Sequence, residues 1–119
     1  MFDDKRLWRR YPIFARVDIK IRKESEETVI EGQLSSISED GTGVYSSVPM
    51  KIGTDISMNI EFIGAEGKIE NDTIEGKVAW LSKQRNIYFV GIFFSEVLNQ
   101  DKQPKLYKHY HRVIKRGYV

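Results

Sequence analysis

Cysteine is absent from the 119-residue chain. That removes disulfides, thiolate zinc sites, iron–sulfur clusters and a cysteine nucleophile together. Histidine is scarce: only His109 and His111 occur, and residues two apart do not share a helical face. No run approaches the ~20 apolar residues of a membrane-spanning helix, and no apolar stretch near residue 1 reads as a secretion signal. Neither a Walker-type phosphate loop nor a Ser-His-Asp arrangement can be found. These absences point to a cytoplasmic protein that is not an enzyme and holds neither metal nor cofactor.

What is present suits one globular domain over residues 1–119: 40% hydrophobic residues, 12% aromatic ones, and 30% charged ones that nearly balance at +2. The balance conceals segregation. Residues 5–23 carry eight Lys/Arg against one acid, and residues 102–119 carry six against none. The stretch from 24 to 101 has five basic residues and fourteen acidic ones, a local charge of −9, and the two ends together are +11. If the fold brings the ends together, they form an anion-attracting surface on a protein that is neutral on average.

Alternation with the period of a half-buried strand starts at Ile13 and runs through Ala15, Val17, Ile19 and Ile21. A second strand is expected around Thr28–Ile37, then an Asp40-Gly41 turn able to take positive φ, and a short strand Thr42–Ser46 with Val44 inward. Residues 48–53 read as an irregular loop. Ile56 to Phe62 alternate, residues 64–72 read as a polar connection, and Ile74 to Trp80 alternate again. A polar reversal at 83–86 precedes the very apolar strand Ile87–Phe94. Such spacing suggests an antiparallel barrel or sandwich, spanning residues 13–95, with Trp80 and Phe89 in its core or at its rim.

The period then changes. Leu106, Tyr107, Tyr110, Val113 and Ile114 mark one face of a helix placed at 99–116. Pro104 suits its first turn, Asn99, Asp101 or Gln103 could cap it, and Gly117 could end it. Lys105, Lys108, Arg112 and Lys115 would be solvated. Residues 1–12 form an arm of different character, where Lys5-Arg6-Leu7-Trp8-Arg9-Arg10-Tyr11-Pro12 interleaves arginine with aromatics. Arginine's planar fork binds phosphate or a guanine edge through two hydrogen bonds and stacks on bases. Taken alone, the arm reads as a solvated charge run.

Arg6-Leu7-Trp8-Arg9-Arg10 is an RxxxR pattern, and Ser36-Ile37-Ser38-Glu39-Asp40-Gly41 resembles (D/N)xSxxG with its first residue changed. Together with Gly76-Lys77-Val78-Ala79-Trp80 and Tyr88-Phe89-Val90-Gly91-Ile92-Phe93-Phe94, these segments resemble the PilZ domain, the bacterial receptor module for cyclic di-GMP, over nearly the whole chain. The resemblance implies a mainly β fold, a six-stranded antiparallel β-barrel with a C-terminal α-helix. It also implies that Arg6 and Arg10 contact the phosphates and guanines of cyclic di-GMP. Ser36 and Ser38 would hydrogen-bond the nucleotide, and Gly41 would let the turn approach it without a Cβ. Arg9, between the motif arginines, could add charge or replace a neighbour.

Ser36 is the departure, since a carboxylate there accepts two hydrogen bonds from a guanine edge and a hydroxyl makes one. One lost contact costs on the order of 1–3 kcal/mol, or roughly ten- to hundredfold in affinity. Ser35, Glu39 or Asp40 could compensate in part. The favoured function is a stand-alone cyclic di-GMP receptor or adaptor whose N-terminal arm changes on binding and signals to a protein partner in motility, secretion or polysaccharide machinery. The alternative is a degenerate PilZ adaptor working through protein contacts without nucleotide. Nucleic-acid binding is disfavoured by the acidic middle of the chain.

Overall fold

In the computed structural model, residues 11–22 and 28–117 are described, with side chains as far as Ile114. Six strands and one helix follow in order: β1 Tyr11–Ile21, β2 Val29–Ile37, β3 Gly41–Ser46, β4 Asp55–Ile63, β5 Ile69–Gln84, β6 Ile87–Phe94 and α1 Pro104–Gly117. All pairings are antiparallel, and the order β1-β2-β3-β6-β5-β4 closes on itself into a barrel through β1 and β4. Closure gives each strand a neighbour on both sides, so the sheet has no edge strand to recruit another chain.

Period-two patterning builds this barrel. Ile13, Ala15, Val17 and Ile19 point inward from β1, while Phe14, Arg16 and Lys20 point out. The interior is completed by Leu34, Ile37, Val44, Ile56, Met58, Ile60, Val78, Val90 and Ile92, each 0–2% exposed. Met50 and Leu98 join it from outside the strands.

Several boundaries differ from the sequence reading. Pro12 belongs to β1, tolerated beside a bulge between Pro12 and Ala15. Strand β5 resumes at Ile69, so the 64–72 connection shrinks to a turn where Gly67 has φ +77° and the Gly64 amide donates to the Lys68 carbonyl, 2.8 Å. Its start looked like a loop because its outward residues are polar: Asn59 Nδ2 donates across the strands to Asn71 Oδ1 at 3.3 Å and Thr73 Oγ1 at 3.2 Å.

The helix begins at Pro104 instead of residue 99. A residue before proline is pushed out of helical geometry, and residues 99–103 form a turn in which Asn99 Oδ1 accepts from the Lys102 amide at 2.9 Å. The cap comes from a distant element. Asp72 of β5 accepts the Leu106 amide at 2.7 Å, placing a carboxylate at the positive end of the helix. Leu106 and Tyr110 are buried against the barrel, and Tyr110 meets the Tyr11 ring edge-on, centroids 6.2 Å apart. Among the described residues no helix is long and apolar enough to cross a membrane.

Candidate functional site

Strand register sets the start of β1 beside the serine motif at one end of the barrel. Tyr11, the residue after Arg10, pairs with Ile37, and Pro12 pairs with Ser36. The first strand thus enters the sheet beside the serine motif. Arg6, Arg9 and Arg10 lie outside the described residues; Ser36, Ser38 and Gly41 lie within them.

The Ser36–Gly41 segment is the end of β2 and its turn into β3. Ser38 is fully buried, and its hydroxyl donates to Asp40 Oδ1 at 2.6 Å and lies 3.2 Å from the Gly41 carbonyl. The Ser38 amide donates to the same carbonyl at 2.9 Å. In this arrangement Ser38 holds the turn. Ser36 is half-buried, with its carbonyl accepting from Thr42 Oγ1 at 2.6 Å.

Gly41 has no positive φ, nor has Asp40, contrary to the turn expected there. Glycine is required for another reason: a Cβ would sit 2.4 Å from the Ile92 carbonyl oxygen of β6. The turn is also tied to the segment leaving β6. The Asp40 carbonyl accepts from the Phe94 amide and the Glu39 carbonyl from the Leu98 amide, both 2.8 Å. Motif turn, last strand and the lead into the helix therefore form one hydrogen-bonded unit.

A row of paired residues extends from this turn across four strands: Ser36 opposite Gly43, Gly43 opposite Gly91, Gly91 opposite Trp80. Trp80 and Phe89 were expected in the core or at the rim, but they lie on the outer wall. Trp80 is 37% exposed and meets Phe89 edge-on at 5.2 Å, and Phe89 packs on Tyr45 at 4.8 Å. A bulge between Val78 and Trp80 accompanies the outward placement. Gly91 makes room for the indole, since a Cβ there would fall 2.1 Å from Trp80 Cε2; at Gly43 it would fall 2.8 Å from Phe89 Cζ. The result is an aromatic strip, Trp80 over Gly91 and Phe89 over Gly43, that runs outward from the hydroxyls of the turn and ends on an exposed ring. Sequence reasoning missed this strip, although glycines at two outward strand positions were a usable signal.

The histidines are placed separately. His109 stacks on Phe62, centroids 4.5 Å apart, with Arg112 Nη2 3.1 Å from its Nδ1; His111 lies against Tyr107 and Tyr110. Arg112 is thus half-buried beside His109, not freely solvated. Among the described residues no group of three or more His, Asp or Glu side chains could hold a metal ion.

Comparison with known proteins fits this geometry. The family model of the PilZ domain matches residues 4–107. The PilZ domain of YcgR from Escherichia coli, solved with c-di-GMP, is similar at TM-score 0.69 and 14% identity, over 96% of this chain and 95% of that one. The Bacillus subtilis inhibitor of motility MotI/DgrA is similar at TM-score 0.68 and 17% identity, over 95% of this chain and 53% of that one. The chain therefore spans about half the length of MotI/DgrA. At these identities the likeness is one of fold. No curated protein sequence matches significantly.

Proposed function

Because the chain belongs to the PilZ domain family, we propose that it is a cyclic di-GMP receptor or adaptor acting in the cytoplasm, in which nucleotide binding changes the N-terminal arm and thereby the surface offered to a protein partner. The observation that carries this reading is the register of Tyr11 with Ile37 and Pro12 with Ser36. Arg10 directly precedes Tyr11 in the sequence, which supports a phosphate-and-guanine site divided between arm and turn. Arg6 and Arg10 are assigned to the phosphates and guanines, with Arg9 as an auxiliary cation. Ser36 is assigned to a guanine edge, Ser38 and Gly41 to the wall of the site, and Trp80 to a stacking surface at its far end.

A second reading, an adaptor that works without nucleotide, draws on two observations. Ser36 replaces the family's Asp or Asn, and the Ser38 hydroxyl already has partners within its own turn. Calorimetric titration with cyclic di-GMP separates the two. The receptor reading expects saturable heat that Arg10→Ala abolishes. Absence of heat at high micromolar nucleotide hands the function to the second reading, and unchanged affinity in Arg10→Ala means the site lies elsewhere.

A further inference from the structure

The outer wall of the barrel carries a groove of about 710 Å³. Its floor is β1 and β2, and its sides are the β4–β5 hairpin and the β3–β6 pair. Phe14 projects from the bulge in β1 and is 88% exposed. Ile63 and Ile69, paired with each other across the hairpin, are 57% and 65% exposed, and Tyr45 and Ile87 line the opposite side. Single exposed apolar residues are common, but several lining one concavity mark an interaction surface.

The groove's centre is polar and unbalanced. Arg16 lies 3.1 Å from Asp18, in contact with Glu31, and 4.0 Å from Glu61. Its pKa is raised by the hydrogen bond to Glu31 and the neighbouring carboxylates, so it remains a cation throughout. Of the charged residues lining the groove, Glu31 and Glu61 outnumber Arg16 by one, and among the described residues no other cation lines it.

These features select the occupant. A nucleic acid or an anionic membrane would meet charge of its own sign. A second copy related by a two-fold axis would set one concavity, with its negative excess, against another. A small apolar molecule would remain largely in water, because the groove is an open trough and not an enclosed pocket. What fits is convex, apolar on both flanks and basic at the centre. We propose that this groove docks a protruding segment of a partner protein, an amphipathic helix whose apolar face carries Lys or Arg at its middle. Docking needs no nucleotide.

The test uses the full chain without nucleotide and a fluorescent synthetic helix of about five turns whose leucine face carries lysine at its middle, with a leucine–glutamate helix of the same pattern as control. The leucine–lysine peptide should give saturable anisotropy and shift the backbone amide resonances of Phe14, Arg16, Glu31 and Ile63. Its affinity should fall about tenfold or more in Phe14→Ser and in Ile69→Ser, both of which alter exposed side chains, and the leucine–glutamate helix should bind at least about tenfold more weakly. No binding, binding unchanged in both variants, or equal binding of the two peptides overturns the proposal. A concentration-dependent dimer abolished by Phe14→Ser overturns it too, by making a second copy the occupant.

Discussion

The packing of Trp80 over Gly91 can be isolated by a double-mutant cycle. In Gly91→Ala the new Cβ would lie 2.1 Å from Trp80 Cε2, 2.2 Å from Nε1 and 2.7 Å from Cδ2. All three nearest atoms belong to the indole, so the ring must leave. Its outer side is solvent, hence the displacement opens no core cavity, and the cost is that of an overpacked contact, about 1–3 kcal/mol. With Trp80→Ala already in place the sign should reverse. Gly91 does not occupy the left-handed region, and Gly→Ala at a compatible position stabilises by about 0.4–1 kcal/mol through the unfolded chain. The coupling between the two sites should therefore be about 1.5–4 kcal/mol, well beyond the additivity error of distant pairs. Urea unfolding of the four proteins, followed by far-UV circular dichroism, measures it. If Gly91→Ala costs the same in both backgrounds to within about 0.5 kcal/mol, the indole does not rest on this glycine.

Removing the distant helix cap by Asp72→Ala should cost about 1–2 kcal/mol and lower Tm by roughly 4–8 °C; an unchanged melting curve would deny Asp72 that role. Gly41→Ala should cost about 2–4 kcal/mol, because its Cβ would meet a backbone carbonyl held in the β3–β6 ladder. A loss under about 1 kcal/mol in urea unfolding would mean that β6 can retreat. Ser36→Asp should tighten cyclic di-GMP binding about tenfold by calorimetry, whereas equal or weaker binding would show that Ser36 does not occupy a carboxylate position.

Legibility followed burial. Strands with one wet and one dry face, such as Ile13–Ile21 and Ile56–Phe62, carry a period of two and were readable, and the helix announced itself through Leu106, Tyr107 and Tyr110. The beginning of β5 was not, because Asn71 and Thr73 are ordinary loop residues until Asn59 of β4 is set beside them. Local capping rules pointed to Asn99, Asp101 or Gln103 and could not reach Asp72, thirty-four residues before Leu106. Met50 is buried from an irregular segment with no period to betray it. At the candidate site the resemblance singled out Ser36, Ser38 and Gly41, and the structure shows what two of them do within the fold. Gly41 makes room for a neighbouring strand, and the Ser38 hydroxyl braces its own turn.

Charge segregation gains meaning from one contact. Tyr11 comes directly after the arginine-rich arm and Tyr110 lies between Lys108 and Arg112 in the sequence, and their rings touch. The point where the arm enters the barrel is therefore beside the helix that carries the other basic segment. Two acids of the middle segment, Glu31 and Glu61, flank Arg16 in the groove. A formal charge of +2 thus averages a helix carrying Lys105, Lys108 and Arg112 with a groove that attracts cations. Fields of this kind act over about one Debye length, roughly 8 Å at physiological salt. They set encounter rates more than final affinity. Raising salt should accordingly slow association of cyclic di-GMP and of a basic helix alike, while mutating Lys108 should slow only the former and mutating Glu61 only the latter.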